Sequence, residues 1–503
     1  MDIAKKLREQ AERHPDKTSI IFKDKQISFK EIVSRINKLA NWLLKAGIKK
    51  GDRVAIYLPN SPEYAISYFA VFTVGAVAVP LDVRLTGQEL TGVLAHSEAA
   101  VLITRPLESF SLQGLSENVE GLKNIVVCFS AEKEKFSFDK ITAQESDELP
   151  DVKIDDNDLA VLFYTSGTTG HPKAVMWNYK NLDNCPMLFE HIHIVELFDV
   201  IICALPFSHS GGFVSFQINA VFGSTLVIME RFIPIEFLKN IEKHKVSFFF
   251  MVPAMFIALL QLKEFEKYDL SGLRGANVFG APSDPNMIMR FGKYCPNACL
   301  FNGWGMTETS PPNTVSEPNK IKSVGKSAPW CEIKIFDSND KEISRGEIGE
   351  IVIRGWPIMA GYYKEPEMTG RIMNGGWFHT GDLGCFDEEN NLYIKGRKKD
   401  MIIVGGLNVY SPEVEHVVQS HPKVKEAAVI GVPDKLRGEA VKAVVVLKPG
   451  EEATITEIRS FCREKLTHFK IPQIIEFVKI LPRTRSGKVQ KELLKESAQH
   501  AAV

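Results

Sequence analysis

The chain lacks a strong net charge, and this bears on two classes of partner. Its 61 Lys and Arg residues nearly balance its 62 Asp and Glu residues, so the formal net charge at pH 7 is −1. Proteins that bind nucleic acid or an anionic membrane through their surface field carry a clear excess of basic residues. We therefore expect no nucleic acid as a partner, and the net charge gives no attraction toward an anionic membrane.

The cysteines show no paired spacing. Eight are scattered along the chain, and Cys295 and Cys299 form a lone C-x-x-x-C without a second pair. A zinc site of this kind needs two such pairs, and disulfide frameworks belong mainly to small secreted chains. The sequence therefore predicts reduced thiols in a cytoplasmic enzyme and no zinc site.

The chain also lacks an apolar run suited to a membrane span. The most apolar segment, Val246–Leu262, is slightly short for a transmembrane helix and contains Pro253. It predicts a buried strand, a turn at Pro253 and a helix. Residues 1–10 are charged and predict the start of an amphipathic helix rather than a signal peptide. The C terminus has no Ser-Lys-Leu ending, so we expect a cytoplasmic protein.

What is present indicates an α/β protein of two domains. At 503 residues the chain is too long for a single hydrophobic core. Short apolar runs alternate with amphipathic helical stretches, which predicts helix-covered parallel sheets. From Ser323 to Arg354 the pattern becomes short strands with turns, typical of a small antiparallel or barrel-like unit. We predict a large N-terminal domain, residues 1–399, and a small α+β C-terminal domain, residues 400–503.

A loop rich in Ser, Thr and Gly follows one of the buried strands. Residues 164–173 are Tyr-Thr-Ser-Gly-Thr-Thr-Gly-His-Pro-Lys. Backbone amides and hydroxyls of such a loop can surround an anion, and Lys173 adds a positive charge. The loop is not a Walker A motif, because Gly167 and Gly170 are too close and Ala174 follows the lysine. It predicts a nucleoside triphosphate site, and an ordinary surface turn is the alternative.

Four further motifs carry groups suited to a nucleotide site. Thr307 can donate a hydrogen bond to a phosphate, and the neighbouring Glu308 can hold Mg²⁺. Asp382 follows a Thr-Gly turn and can accept hydrogen bonds from both ribose hydroxyls. Arg397 lies at the domain boundary, and Lys488 follows a Ser-Gly turn near the C terminus. Taken singly, each has a plain alternative as a common residue pair, a turn, a solvated linker or an exposed lysine.

The order and separation of these five motifs closely resemble the adenylate-forming superfamily. Its members include acyl- and aryl-CoA synthetases, coumarate–CoA ligases, firefly luciferase and the adenylation domains of peptide synthetases. The resemblance extends from about residue 10 to about residue 495 and is strongest to fatty acyl-CoA synthetases and coumarate–CoA ligases. It implies an AMP-forming acid–thiol ligase that uses ATP, Mg²⁺ and coenzyme A and acts on a small-molecule carboxylic acid.

The resemblance also implies a role for each matching position in the nucleotide site. The phosphate loop for the β- and γ-phosphates would comprise Thr165, Ser166, Gly167, Thr168, Thr169, Gly170 and Lys173. The walls of the adenine slot would be Gly280, Ala281, Pro282, Asn302, Gly303 and Trp304. The catalytic and metal-binding pair would be Thr307 on the α-phosphate and Glu308 on Mg²⁺. The ribose ligands would be Asp382 and Arg397.

Members of this family use one site for two half-reactions by rotating the C-terminal domain. Asp400 lies where the family places its interdomain hinge. In one pose Lys488 would bridge the carboxylate substrate and the α-phosphate. In the other pose Gly405 and Gly406 would shape the tunnel for the thiol of CoA, where glycine permits close backbone approach.

The acid is the least determined part of this assignment. Peptide-synthetase adenylation domains carry an aspartate in the region that matches Pro206–Phe213, and this chain has none there, which disfavours an amino acid. His209 matches a histidine that often lines the site, with a structural histidine as the alternative. Acetate-specific relatives carry tryptophan at the position of Gly305, so glycine predicts an acid larger than acetate.

Several apolar side chains are expected to line the acyl pocket, namely Phe207, Phe213, Val214, Met251, Val252, Met306 and Ala328. This lining suits a fatty acid or an aryl acid, and family base rates favour a fatty acid. A carrier-protein acceptor, luciferase-like oxygenation and an inactive ligand-binding paralogue stay open as alternatives. A homodimer stays open as well.

Overall fold

The computed structural model describes residues 2–107, 111–129, 136–165, 173–281, 283–434, 436–483 and 489–500. Its helices are α1 (Ile3–Arg13), α2 (Phe29–Lys45), α3 (Pro62–Thr73), α4 (Gly87–Ser97), α5 (Leu112–Asn118), α6 (Phe138–Gln144), α7 (Asn184–His191) and α8 (Ser210–Phe222). They continue with α9 (Pro234–His244), α10 (Pro253–Leu260), α11 (Pro285–Gly292), α12 (Pro366–Ile372), α13 (Ser411–Gln419), α14 (Ile455–Arg463) and α15 (Lys491–His500).

The first thirteen strands are β1 (Thr18–Phe22), β2 (Lys25–Ser28), β3 (Arg53–Tyr57), β4 (Val77–Pro80), β5 (Ala99–Thr104), β6 (Asn124–Val127), β7 (Leu159–Thr165), β8 (Lys173–Asn178), β9 (Val200–Cys203), β10 (Thr225–Ile228), β11 (Phe248–Met251), β12 (Gly275–Val278) and β13 (Cys299–Trp304). The others are β14 (Thr314–Val315), β15 (Lys326–Ser327), β16 (Cys331–Phe336), β17 (Gly349–Gly355), β18 (Gly361–Tyr362), β19 (Met373–Asn374), β20 (Trp377–Phe386), β21 (Leu392–Arg397), β22 (Met401–Val404), β23 (Leu407–Tyr410), β24 (Val424–Asp434), β25 (Gly438–Leu447) and β26 (Ile474–Phe477).

Two large sheets form most of the N-terminal part. Within the described residues, one has the strand order β15-β14-β13-β12-β11-β9-β10-β1-β2 and the other β18-β8-β7-β4-β3-β5-β6. Their central strands run parallel, and antiparallel strands lie toward their edges. The predicted helix-covered sheets are therefore confirmed. The carboxyl ends of β4, β7, β9, β12 and β13 lead into the segments that carry the candidate site residues.

Local sequence signals explain where several helices begin. The Ser28 hydroxyl accepts the Glu31 amide at the start of α2, and Thr86 with Glu89 forms a reciprocal capping box at the start of α4. Pro253 is the first residue of α10 and directly follows the β11 region, where a proline costs no helical hydrogen bond. The predicted strand, turn and helix within Val246–Leu262 are thus confirmed.

Two helices, α3 and α8, belong to the hydrophobic cluster shared by the two large sheets. Both are buried along nearly their whole length. The rings of Tyr68 in α3 and Phe213 in α8 have centroids 5.1 Å apart, and the same cluster includes Val54 of β3 and Ile201 of β9. Burial on all sides explains why these helices are apolar all round rather than amphipathic.

The third sheet is antiparallel and larger than the sequence pattern indicated. It has the order β16-β17-β20-β19, and β21 also pairs with β20. The prediction ended this unit at Arg354, whereas its last strand ends at Arg397. No pairing joins β16 to β21 among the described strands, so this sheet is open rather than a closed barrel. Thr380, Gly381 and Asp382 interrupt the hydrophobic alternation within β20, so the sequence pattern did not indicate this strand.

The C-terminal part has a sheet and a core of its own. Its sheet has the order β23-β22-β25-β24, and β26 pairs with β25. Two hydrophobic clusters there contain residues from Ile402 to Leu494 only, whereas the clusters of the N-terminal part end at Leu392. None of the helices in the described part of the chain is long and apolar enough to cross a membrane.

Candidate active site

The strands β7 and β8 form a hairpin that flanks the predicted phosphate loop. Thr165 and Lys173 are paired across the two strands, and the Thr165 hydroxyl lies 3.5 Å from the carbonyl oxygen of Lys173. The predicted loop residues between them, Ser166, Gly167, Thr168, Thr169 and Gly170, lie outside the described residues. Lys173 is therefore the first residue of β8 and lies opposite Thr165, the last residue of β7.

Tyr362 connects Lys173 with Glu308. The Lys173 Nζ lies 5.3 Å from the centroid of the Tyr362 ring, a cation–π distance. The Tyr362 hydroxyl donates a hydrogen bond of 2.9 Å to Oε1 of Glu308. Burial and the charge of Glu308 raise the pKa of Tyr362, so this phenol stays protonated and remains a donor. The predicted phosphate lysine and the predicted Mg²⁺ carboxylate thus share one neighbour.

Thr307 is held by two elements that the motif itself does not include. The indole nitrogen of Trp177 in β8 donates to the Thr307 carbonyl oxygen at 2.7 Å. The hydroxyls of Ser210 and Thr307 are 3.2 Å apart. Because Ser210 is the first residue of α8, this contact connects the phosphate side of the site with the helix next to the predicted acyl side.

The predicted ribose ligands form a pair. Asp382 and Arg397 lie opposite each other on β20 and β21, and Arg397 Nε is 2.8 Å from Asp382 Oδ1. The Trp304 indole donates to Oδ2 of the same carboxylate at 2.9 Å. Asp382 is buried and the Arg397 side chain is half exposed. The aspartate is therefore held in one orientation, and Trp304, predicted for the adenine slot, is one of the groups that hold it.

The other predicted adenine-slot residues lie at the ends of β12 and β13. Gly280 has φ +82°, a left-handed conformation that favours glycine. Asn302 is buried and donates to the Ile321 carbonyl oxygen at 3.1 Å, and Gly303 lies beside it in β13. Ala281 is exposed, and Pro282 lies outside the described residues.

His209 lies close to a carboxylate that the sequence did not associate with it. Its Nε2 is 3.7 Å from Oδ2 of Asp82, a residue that follows β4. Asp82 accepts hydrogen bonds from the backbone amide and Nε of Arg84 at 2.9 and 2.8 Å. Burial raises the pKa of Asp82, but the hydrogen bonds from Arg84 outweigh burial and hold this pKa well below its usual range. The carboxylate is therefore ionised and already balanced by a guanidinium.

Phe207 and Phe213 were predicted to line the acyl pocket, and the structure corrects this. Both side chains have 0% exposed surface. Phe207 packs against Phe216, with ring centroids 4.3 Å apart, and Phe213 packs against Tyr68. Met251 and Ala328 are fully buried as well. These residues form the core behind the site, whereas Val252 and Met306 are partly exposed. Apolar character alone does not separate a pocket lining from a core.

Gly305 has a packing reason to be glycine. A Cβ atom at this position would lie 2.7 Å from Cβ of Pro311 and 2.8 Å from Oδ1 of Asn313. Both neighbours leave no room for a side chain without movement of the turn. Pro311 and Asn313 fill the space beside Gly305. That Gly305 leaves the acyl pocket open therefore stays a prediction.

The residues predicted for domain rotation lie near the boundary between the two parts. Asp400 ends a short 3₁₀ turn between β21 and β22, and its buried Oδ1 has no hydrogen-bond partner in the described part of the chain. Gly405 and Gly406 form the exposed turn of the β22–β23 hairpin with φ of 58° and 82°. Left-handed φ explains these glycines here. Lys488 lies outside the described residues.

Four residues outside the five motifs contact the candidate site residues or their neighbours, namely Asp82, Trp177, Glu350 and Tyr362. All four come from elements outside the motifs to which they bind. Tyr362 lies in the short strand β18, which pairs with β8. Hydrogen-bond partners brought together by the sheets have no local signature in the sequence.

Comparison with known proteins identifies the family of this chain. The family described as AMP-binding enzyme matches residues 7–363, and the family described as AMP-binding enzyme C-terminal domain matches residues 413–488. The chain belongs to the AMP-binding enzyme family. It is an enzyme of the adenylate-forming superfamily, an acid–thiol ligase, as the five motifs implied.

Relatives of this AMP-binding enzyme cover nearly its whole length. It is 35% identical to a long-chain-fatty-acid–CoA ligase of Bacillus subtilis over 98% of this chain and 94% of the relative. It is 33% identical to a feruloyl-CoA synthase of an Amycolatopsis species over 96% of each chain. The crystal structure of ATP-bound MatB from Rhodopseudomonas palustris has a TM-score of 0.90 at 30% identity, covering 99% of this chain and all of that one.

The residues around Glu308 suit a magnesium ion bound with a nucleotide. Mg²⁺ keeps several waters and takes one or two protein carboxylates together with phosphate oxygens. Glu308 is partly exposed, and one of its oxygens already accepts from Tyr362. No group of three or more His, Cys, Asp and Glu suited to hold a metal occurs in the described part of the chain. A single carboxylate plus phosphates is thus the arrangement that fits.

Proposed function

We propose that this protein is an ATP-dependent acyl-CoA synthetase that forms an acyl-adenylate from a carboxylic acid larger than acetate and transfers the acyl group to CoA. The observation that carries the proposal is that two groups of predicted ATP ligands are each held together by direct contacts. Lys173 and Glu308 meet at Tyr362, and Asp382 is oriented by Arg397 and Trp304.

The charges of this site suit attack of one anion on another. A carboxylate must approach the α-phosphorus of ATP, and both groups are negative. Lys173, Lys488 and a Mg²⁺ ion on Glu308 would offset this repulsion and stabilise the charge that develops on the phosphate oxygens. Thr307 would donate to the α-phosphate, and Lys488 would bridge it to the acid. Pyrophosphate leaves, and the thiol of CoA then displaces AMP from the acyl carbon.

We favour a fatty acid as the substrate, and an aryl acid is the second candidate. The relatives are named for both classes, a long-chain fatty acid and ferulate. An amino acid is disfavoured on charge, because Asp82, the carboxylate beside His209, is already paired with Arg84. A substrate ammonium group would have to compete with that guanidinium. His209 and Met306, both partly exposed at this side, would contact the acid.

The proposal is tested by measuring pyrophosphate release with a panel of acids. The panel contains acetate, C8, C12 and C16 fatty acids, ferulate, coumarate and benzoate, each with and without CoA. We expect release with the longer fatty acids, little with acetate, and consumption of CoA in equal amount. Release without CoA consumption would favour a carrier-protein acceptor, and no release with any acid would favour a ligand-binding paralogue.

Lys488 separates the two half-reactions. We predict that Lys488→Ala lowers adenylate formation at least 100-fold, because the bridging cation is lost, and largely spares thioester formation from supplied acyl-adenylate. Both half-reactions are measured on the same preparations. Lys479→Ala, at an exposed lysine of the same region, is the matched control. Equal loss of both steps would contradict the assigned role.

A further inference from the structure

Glu350 is a buried carboxylate that none of the five motifs contains. It lies in β17, and its side chain is 7% exposed. Its Oε1 accepts the backbone amide of Gly381 at 3.1 Å. Its Oε2 accepts from Lys398 Nζ at 2.8 Å and lies 3.3 Å from Nδ1 of His379. A buried carboxylate is costly unless its oxygens are paired, and here both oxygens are.

The partners of Glu350 are neighbours of the predicted ribose ligands. Gly381 directly precedes Asp382, and Lys398 directly follows Arg397. Asp382 and Arg397 are themselves paired at 2.8 Å. One carboxylate therefore closes a ring of contacts that runs from Gly381, just before Asp382 in β20, to the residue after Arg397.

The same ring reaches the boundary between the two parts of the chain. Lys398 begins the short turn that ends at Asp400, and residues 364–412 connect the two family domains. Lys398 is half exposed, whereas Glu350 is buried. Burial raises the pKa of Glu350, but the Lys398 and His379 contacts outweigh burial and lower this pKa below its ordinary value. The anion is thus the fixed partner, and the lysine is the partner on the connecting segment.

We propose that Glu350 is a positioning residue for ATP: it fixes the β20 backbone before Asp382 through Gly381 and fixes Arg397 through Lys398. This inference rests on the proposed function, because it assigns the Asp382–Arg397 pair to the ribose. It adds a residue that contacts no substrate and acts on two that would. Its effect belongs to ATP binding rather than to the chemical step, because the ring orients the nucleotide and does not include the phosphate-side groups.

Three substitutions in the full-length protein separate the effects of two contacts of Glu350, one with the Gly381 amide and one with Lys398. Glu350→Leu removes both the acceptor for Gly381 and the charge that pairs with Lys398. Glu350→Gln keeps an acceptor and removes the charge. Lys398→Met removes only the cation, at a half-exposed position, and leaves His379 and the Gly381 amide as partners of Glu350. Lys399→Met is the matched control, because this neighbouring lysine pairs with Glu492 at 3.2 Å instead.

The readouts are the KM for ATP, kcat, ATP affinity by calorimetry and the unfolding temperature. We expect Glu350→Leu to raise the KM and Kd for ATP about tenfold with kcat within about twofold, since the partly buried Gly381 amide loses its acceptor. Glu350→Gln and Lys398→Met should each raise them about threefold, and Lys399→Met should leave them unchanged. A purely structural role would lower kcat and the unfolding temperature together and leave the Kd of the folded fraction unchanged.

Two results would overturn the inference. One is an ATP affinity of Glu350→Leu equal to that of the unsubstituted protein. The other, which decides the matter if Glu350→Leu fails to fold, is identical ATP affinity of Lys398→Met and Lys399→Met. Calorimetry uses ATP without an acid, so a wrong acyl substrate leaves these results intact. An unsubstituted protein that binds ATP but releases no pyrophosphate contradicts only the proposed function.

Discussion

At the residue scale, Asp382 depends on three different parts of the chain. Its motif places it after a Thr-Gly turn, but its orientation comes from Trp304 in β13 and Arg397 in β21. The same holds for Glu308, whose neighbour Tyr362 is 54 residues away in the chain. The types of residue needed for the nucleotide were readable locally. Their geometry was not, because each is held by partners from another strand.

Asp382→Asn tests the paired ribose carboxylate. The amide keeps the size of the side chain and one acceptor oxygen but removes the charge that holds Arg397. We expect the KM for ATP to rise about tenfold or more and the free energy of unfolding to fall by about 1–3 kcal/mol. Steady-state kinetics and urea unfolding measure the two effects. Asp340→Asn, at an exposed aspartate, should change neither; an unaltered KM in Asp382→Asn would refute the ribose assignment.

Glu350 also predicts a dependence of stability on acid. Its pKa is lower in the folded protein than its ordinary value, so its contribution is complete above the unfolded value of about 4.3. The contribution is lost as pH falls through the lower, folded pKa. We expect Glu350→Gln to be less stable than the unsubstituted protein at pH 7 and to lose less stability between about pH 5 and pH 3. Parallel stability curves for the two proteins would show that Glu350 does not titrate in this way.

At the scale of elements, the start of α8 is set by close backbone packing. The segment from Pro206 to Gly212 turns from β9 into the helix, and the His209 amide donates to the Pro206 carbonyl oxygen at 3.1 Å. A Cβ atom at Gly212 would lie 2.2 Å from that same oxygen. The sequence marked this segment as the guide to the acid. It did not reveal that its glycines serve the helix turn and its phenylalanines the core.

Gly212→Ala should therefore destabilise the protein, by about 1–3 kcal/mol or more, because the new methyl group meets backbone atoms. Gly92→Ala in α4 is the matched control, since nothing lies within 4 Å of its added Cβ. Replacement of a helical glycine by alanine stabilises the folded protein by about 0.5–1 kcal/mol when there is free space for the new methyl group. Chemical unfolding distinguishes the two. If Gly212→Ala raised the free energy of unfolding as Gly92→Ala does, the turn at Pro206 would have to move at no cost in free energy.

At the scale of the whole molecule, the hydrophobic clusters separate near the predicted domain boundary. The N-terminal clusters end at Leu392, and the C-terminal clusters begin at Ile402. No described sheet contains strands from both sides of residues 398–400. Rotation of residues 400–503 as a unit, which the resemblance implies, would therefore break no shared core.

Separate cores predict two unfolding transitions. We expect calorimetry to resolve a larger and a smaller endotherm. Val441→Ala should lower the unfolding temperature of only the smaller transition, and Val54→Ala that of only the larger one. Each substitution should reduce the free energy of unfolding of its own part by about 2 kcal/mol, because both valines are 0% exposed in different clusters. A single transition lowered equally by both substitutions would mean that the two parts unfold together.

The sequence by itself determined the α/β class and most strand positions, and it predicted the boundary near Asp400 and the residue types of the nucleotide site. These follow from apolar periodicity and short motifs, which act over a few neighbouring residues. Only the tertiary structure decided which residues meet. It paired Glu308 with Tyr362, Asp82 with His209 and Glu350 with Lys398, and it moved Phe207 and Phe213 from the pocket to the core. Parallel sheets bring distant strand ends to one edge, and no local pattern encodes those long-range contacts.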